Sequence, residues 1–433
     1  MEINVLLKGM DCACGRHHHC DIQYVAVERG AINRLTETAK EYDRILVVAD
    51  ENTYRAAGEK TTAALAGKQY KTVIFPGQPL LIPNEAAIAG VTESLADSDL
   101  IVGIGSGVIQ DLCKYVSHVS KIPYFVVATA PSMDGYASTG AAMILEGMKV
   151  TVPAGVPKVI LADTEVLKDA PMDMLQAGYG DIVGKFSALN DWRLSQVVNG
   201  EYFCQTIYDL TMDMVRQTLS LGPGLLKREE ESVKVLMEAL IAVGIAMSFA
   251  GSSRPASGSE HHLSHFFEIT GIVHGEEYFP HGIDVAYSTV MTADLREQLL
   301  TRAWPDKQYR PAGAEYRSTM TDLYGPVAAG CMTLQEKVGL YQKDMLAVYR
   351  EKETRVRKVL EEMPTSEEIA EMLKTVGLKM NDFYGLYSRQ KICDAVLYAK
   401  ELKDRYTVLW MYYDLFGNEP EILGINGKRH EMT

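Results

Sequence analysis

Leu100-Ile101-Val102-Gly103-Ile104-Gly105-Ser106-Gly107-Val108-Ile109 reads as a buried strand that runs into a glycine turn and then into a helical stretch reaching Ser117. Glycines at such a junction allow close backbone approach, and the open amides and dipole of the helix start favour an anion. The spacing is not G-x-G-x-x-G, so taken alone the segment fits a tight turn better than a nucleotide cradle. Working outward, short β-branched runs recur at Ile45–Ala49, Thr72–Phe75, Phe125–Ala128 and Val159–Ala162, with helical segments between them. That alternation predicts a parallel sheet covered on both faces. Beyond residue 165 the strand signals fade, and stretches such as Glu230–Phe249 and Val327–Leu360 carry apolar residues at three-four spacing, which predicts helices. The expected architecture is an α/β domain over residues 1–164 followed by an all-helical domain over 165–433.

Composition narrows the function. The chain has 433 residues, 47% hydrophobic and 23% charged, the balance of a folded globular protein and not of a disordered one. Its 57 acidic against 43 basic residues give a net charge of −14, which disfavours nucleic acid while leaving room for a small anionic ligand held by local donors. No apolar run approaches the ~20 residues that span a bilayer; the strongest, Leu240–Met247, falls inside a stretch read as amphipathic. Seven cysteines without small-scaffold spacing fit reduced thiols and a cytoplasmic setting.

Three further segments carry chemistry. The run Ile45–Ala49 ends in Asp50, a carboxylate that could meet a ribose or simply cap the next helix. The run Phe125–Ala128 opens into Thr129-Ala130-Pro131-Ser132-Met133-Asp134-Gly135-Tyr136-Ala137-Ser138, small and hydroxylic residues of the kind that line a ligand crevice at a strand's carboxyl end; Asp134 equally suits a turn before Gly135. In Ser257-Gly258-Ser259-Glu260-His261-His262-Leu263-Ser264-His265, a helix puts His261 and His265 on one face and turns His262 roughly 100° away. Asp181, read as lying in the first turn of a helix, and His281, at another helix start, complete an Asp-plus-His set suited to a divalent metal with open positions; surface histidines and a capping aspartate remain the plainer alternative. The cluster Cys12-Ala13-Cys14-Gly15-Arg16-His17-His18-His19-Cys20 is dense in soft ligands but lacks the spacing of a zinc finger, and adventitious binding is the expectation there.

In chain order, VVADENTYRAAG, GIGSGVIQD, TAPSMDGYAS, GYGDIVGK, SRPASGSEHHLSH and PHG resemble the sn-glycerol-1-phosphate dehydrogenases, a branch of the glycerol dehydrogenase and dehydroquinate synthase-like superfamily, over most of the chain. The resemblance implies NAD or NADP and one divalent metal, zinc first with nickel or another ion open. It implies the adenosine-ribose contact at Asp50, a pyrophosphate cradle at Gly105, Ser106, Gly107, Val108 and Ile109, and nicotinamide-side contacts at Thr129, Ala130, Pro131, Ser132 and Ser138. Asp181, His261 and His281 match the metal ligands, with His274 ranked behind His281, and Asp134 and His265 match substrate-contacting positions. Arg254 and Lys185 are taken as candidate phosphate cations. The implied reaction is reversible reduction of dihydroxyacetone phosphate to sn-glycerol 1-phosphate, a phospholipid precursor, in a cytoplasmic homo-oligomer with no nucleic-acid or membrane partner. A polyol dehydrogenase on an unphosphorylated substrate is the runner-up, and a dehydroquinate synthase-like cyclase or a non-catalytic metal or nucleotide sensor stands behind it. The stretch before residue 40 departs from the shorter archaeal members and resembles the longer bacterial ones.

Overall fold

The computed structural model describes residues 3–146 and 148–421. Its strands are β1 (Met10–Asp11), β2 (His17–His18), β3 (Tyr24–Glu28), β4 (Arg44–Asp50), β5 (Gln69–Phe75), β6 (Leu100–Gly105), β7 (Tyr124–Ala128), β8 (Gly140–Leu145), β9 (Met148–Pro153) and β10 (Val159–Asp163). Six of them form a parallel sheet in the order β3-β10-β7-β6-β4-β5. Every residue of β6, β7 and β10 is buried, as a strand covered on both faces requires, and these are the strands that read as continuous apolar runs. At the edge, β5 is largely exposed. Three features lie outside the expected set. β3 pairs with β10 at the other edge, and β1 with β2 and β8 with β9 form antiparallel hairpins.

Strand order reverses within this sheet between β4 and β6: β4 is followed outward by β5, whereas β6 is followed by β7 and then β10 on the opposite side. Ligands of open α/β sheets sit beyond the carboxyl ends of strands at such a reversal. Here the pairs Val48↔Gly103 and Gly105↔Ala128 bring the ends of β4, β6 and β7 level. Helices α1 (Glu51–Ala64) and α2 (Gly107–Ser120) leave from the first two of those ends.

By internal contacts the chain forms two units, Met1–Ile182 with Asp209–Ser253, and Val183–Tyr208 with Arg254–Thr433. The division therefore differs from the expected cut at residue 164. Helix α3 (Met172–Val183) and helix α5 (Glu230–Ala250) pack on the loop after β7, which is why these two helices belong with the sheet although they come after it in the chain. Among the described residues the second unit is helical without strands, as expected. It includes α4 (Lys185–Asn199), α6 (Ser259–His274) and α7 (His281–Thr301).

Helix α5 corrects one expectation. It is long and apolar enough to cross a membrane, yet 78% of its apolar window is buried inside the protein. An apolar surface that runs all round a helix belongs to a core as well as to a bilayer, and the amphipathic reading failed because the polar side chains gather at its start, with Glu230 and Glu231 in the first turn.

Candidate active site

The glycine turn is built as strand, turn and helix. A Cβ on Gly105 would come within 2.6 Å of Ile109 Cβ, and one on Gly103 within 2.9 Å of Cys113 Sγ, so both glycines are demanded by the close packing of α2 on β6. Gln110 staples the junction, donating from Nε2 to the carbonyls of Gly103 and Gly105 at 3.0 and 3.1 Å. Gly107 differs. Its Cβ would meet nothing closer than Met133 at 3.9 Å, and Ser106 at the N-cap gives the helix start no side-chain cap. The start of α2 thus has no side-chain cap and room beside Gly107, the arrangement an anion needs. Val108, large and apolar, is exposed beside them. Asp50, at the end of the neighbouring strand, caps α1: its Oδ1 accepts from Asn52 N at 2.8 Å and Thr53 N at 2.9 Å. The capping role held open from the sequence is thereby real, and one carboxylate oxygen remains outside it.

Residues 129–138 form a turn held from three sides. Thr129 N donates to Gly105 O at 3.2 Å, tying the turn to the glycine junction, and Tyr136 OH donates to Ala130 O at 2.6 Å across it. Lys114, fully buried on α2, donates from Nζ to the carbonyls of Gly135 at 2.7 Å and Gly140 at 2.9 Å, with Ser138 Oγ at 3.3 Å. Burial pushes the Lys114 ammonium below its ordinary pKa, with Asp111 acting against that shift. Ser138 Oγ also donates to Gly135 O at 3.0 Å, so this expected nicotinamide contact braces the turn as well. Two helices close on it through glycines. A Cβ at Gly178 of α3 would lie 1.8 Å from Pro131 O, and one at Gly244 of α5 would lie 2.8 Å from Asp134 O.

Asp181 sits one turn beyond Gly178 and is buried. It lies in the last turn of α3, not the first. Gly178-Tyr179-Gly180 lies inside the helix and not ahead of it, with Gly178 packed where only glycine fits against Pro131. Asp181 Oδ2 accepts from Asp134 N at 2.9 Å, so the carboxylate of one expected site residue holds the backbone of another within this unit. A carboxylate at a helix C-terminus faces the negative end of the dipole, a setting that favours a bound cation.

In the second unit the histidines converge. Ring centroids of His261 and His281 are 5.1 Å apart, His265 and His281 5.4 Å, and His261 and His265 6.2 Å. His261 Nδ1 lies 2.7 Å from Glu260 Oε1, and that oxygen also accepts from Gly258 N at 2.8 Å. A carboxylate on one ring nitrogen fixes the tautomer and leaves the other as a lone pair, the usual support for a metal-bound histidine. His281 Nδ1 has Ser264 Oγ at 3.3 Å. Burial raises the Glu260 carboxyl above its ordinary range. His262 points away, as the helical period requires, and burial holds its ring well below the ordinary histidine pKa. His274 Nε2 is instead 3.1 Å from Leu323 O at the far end of α6, so His281 is the one that joins the cluster. The start of α6 is set by Asp191 on α4, which accepts from Ser259 N at 2.6 Å and pairs with Arg296 at 2.8 Å. Gly258 permits this, since a Cβ there would meet Asp191 Oδ2 at 2.6 Å.

A profile of the family described as iron-containing alcohol dehydrogenase matches residues 26–171. A glycerol-1-phosphate dehydrogenase (NAD(P)+) of Geobacillus thermodenitrificans is 30% identical over 92% of this chain and 94% of its own. The chain belongs to the glycerol-1-phosphate dehydrogenase family. It is accordingly an oxidoreductase. The like-named protein of Bacillus licheniformis is 29% identical over 95% of this chain and 94% of its own. In fold it resembles an iron-containing alcohol dehydrogenase of Thermococcus thioreducens, with TM-score 0.58 and 15% identity over 89% of this chain and 92% of that one, which is the dehydroquinate synthase-like architecture expected from the sequence.

Within this glycerol-1-phosphate dehydrogenase family member, the two expected phosphate cations are placed otherwise. Arg254, 5% exposed, donates from Nε to Glu201 Oε1 at 2.6 Å and from Nη1 to Tyr406 O at 2.9 Å. Lys185, fully buried, donates to Ala256 O at 3.0 Å. Both are engaged in the framework of the second unit, where nearness in sequence to site motifs is no guide to direction. Sequence reasoning misses Lys114, Gly244 and Glu260. Glu260 adjoins His261 in sequence and could have been found as the carboxylate such a ligand needs; Lys114 and Gly244 carry no local signal.

Proposed function

We propose that this chain interconverts dihydroxyacetone phosphate and sn-glycerol 1-phosphate with NAD(H) or NADP(H), and that Asp181, His261 and His281 hold a divalent metal, zinc in the first instance. The observation that carries the metal assignment is the pairing of Glu260 with His261 Nδ1 at 2.7 Å beside the ring of His281: a tautomer fixed by a buried carboxylate leaves a nitrogen donor facing a second imidazole. Membership of the family over both units supports the reaction. When bound, the metal supplies Lewis acidity toward the substrate carbonyl and the nicotinamide supplies the hydride.

This chain's own residues bind and orient. The open amides at Gly107, Val108 and Ile109 take the dinucleotide pyrophosphate, with Gly105 and Ser106 shaping the approach, and Asp50 accepts from the ribose with the oxygen its helix cap leaves over. Thr129, Ala130, Pro131, Ser132 and Ser138 line the nicotinamide side of a turn that Lys114 keeps rigid. Asp134 and His265 orient the substrate, a role in which a displacement of about 1 Å can cost roughly 100-fold in rate. A cytoplasmic homo-oligomer is part of the same proposal. The test is NADH oxidation with dihydroxyacetone phosphate against dihydroxyacetone, with chiral analysis of the product. Turnover of the phosphorylated ketone to glycerol 1-phosphate is expected; preference for the unphosphorylated ketone would replace this reading with a polyol dehydrogenase.

A further inference from the structure

The cysteine and histidine cluster near the N-terminus is unused by that reaction. Strands β1 and β2 pair Met10 with His18 and Asp11 with His17, and the turn between them is tight: Gly15 N donates to Cys12 O at 2.9 Å and Cys12 N to Arg16 O at 3.1 Å, with Gly15 at φ +83. This knuckle brings the thiols of Cys12 and Cys14 and a ring nitrogen of His18 within 4.8 Å of one another. None of the three consecutive histidines is distinguished by sequence, but the hairpin separates them. His17 is exposed, bonded to Asp11 at 2.8 Å and stacked on His19. His18 is 1% exposed.

The surroundings of His18 define its tautomer. Its Nδ1 lies 3.0 Å from Phe249 O, and a carbonyl can only accept, so Nδ1 carries the proton and Nε2 presents a lone pair. That lone pair is 3.4 Å from Cys14 Sγ. In a tetrahedral zinc site, with Zn–S about 2.3 Å and Zn–N about 2.0 Å, a sulfur and a nitrogen on the same ion stand about 3.5 Å apart. The ring is also clamped by stacking on Phe249 at 5.7 Å. A backbone carbonyl on the remote nitrogen, a fixed ring and two thiols at ligand spacing are what a thiolate-rich metal site requires. None of these cysteines is in a disulfide.

We propose that Cys12, Cys14 and His18 bind a structural zinc ion, distinct from the metal of the dehydrogenase reaction. Two thiolates with an imidazole select a borderline-soft ion such as zinc over calcium or magnesium; on binding, the two thiols release their protons to solvent. The fourth position falls to a donor beyond this trio or to water. Through Phe249 the ion fastens the hairpin to the end of α5. That helix carries Gly244 against the Asp134 turn and Ser248, whose hydroxyl donates to Ala137 O at 2.9 Å. The ion therefore steadies the turn on which Asp134 sits without touching substrate.

The test uses the full-length protein. Metal per chain is measured by plasma mass spectrometry, and the cobalt(II)-loaded protein is examined for thiolate-to-cobalt charge-transfer absorption. The wild type and the D181A/H261A variant should both show that absorption, while C12S/C14S should lack it and hold one metal equivalent less than wild type; H17N/H19N should match wild type. Should C12S/C14S fail to fold, the cobalt spectra of wild type and D181A/H261A decide alone. Absence of the thiolate bands from both of these cobalt-loaded proteins, metal content unchanged in folded C12S/C14S, or loss of the ion in H17N/H19N would each overturn the proposal. The outcome is independent of the catalytic reading, whose own failure would appear as unchanged metal content in D181A/H261A.

Discussion

Asp181 Oδ2 accepts the backbone amide of Asp134 at 2.9 Å, so the carboxylate proposed as metal ligand also holds the turn that carries the proposed substrate contact. The two duties separate by substitution. Asp181→Asn keeps an acceptor for the Asp134 amide but drops the charge, whereas Asp181→Ala removes both. Both variants should lose bound metal and turnover, and only Asp181→Ala should also lower thermal stability, by about 1–3 kcal/mol for the buried donor left without its acceptor. Metal content, activity and melting temperature measured on the pair check this; full activity in Asp181→Asn would make Asp181 a brace of the turn and not a ligand.

Glycine substitutions distinguish packing from ligand space. Gly178→Ala places a methyl 1.8 Å from Pro131 O, a clash with backbone that the helix must move to relieve. Destabilisation of at least about 1–3 kcal/mol is expected, together with reduced metal affinity as Asp181 moves with its helix. Gly107→Ala meets no atom closer than 3.9 Å, so its melting temperature should match wild type while KM for the dinucleotide rises. Equal effects of the two on stability would show that the Gly107 face is not open ground.

Lys114→Met tests the rigidity of the same turn. It removes the ammonium donor to the half-buried carbonyls of Gly135 and Gly140; both keep Ser138 Oγ as a donor, so each lost bond costs about 0.5–1.5 kcal/mol. A lower melting temperature and a raised KM for NADH are expected. Lys114→Arg, too large for a fully buried site, should not rescue either. An unchanged KM in a destabilised but folded Lys114→Met would confine Lys114 to stability.

The legible part of this protein was the part encoded locally. β4, β6, β7 and β10 announce themselves because a strand buried on both faces is a run of apolar residues. β3, Tyr24-Val25-Ala26-Val27-Glu28, has the same composition but pairs only with β10, more than a hundred residues later, and nothing near it in sequence says so. The histidine face of α6 followed from helical spacing. Asp181 is legible as a candidate ligand but lies in the last turn of its helix and not the first, because glycines disfavour a helix unless a partner demands them, and the partner of Gly178, Pro131, lies far upstream. The same holds for Arg254 and Lys185, whose directions are fixed by Glu201 and Ala256 and not by the motifs beside them.

Asp284, in the first turn of α7, gives the second unit a pH dependence with a defined sign. Burial raises its carboxyl well above the ordinary value, with the Tyr387 hydroxyl opposing that shift; Tyr387 OH donates to both carboxylate oxygens, at 2.9 and 3.0 Å. The unfolded chain ionises this group near about 3.9, so the native state binds the proton more tightly than the unfolded one. Its contribution to stability is complete below the unfolded pKa and is lost as pH rises through the raised native value. Asp284→Asn keeps an acceptor for Tyr387 and cannot ionise. Urea midpoints taken from mildly acidic to alkaline buffer should fall more steeply for wild type than for Asp284→Asn, with the variant the more stable at the alkaline end. Parallel curves would mean that Asp284 is already ionised in the folded protein across that range.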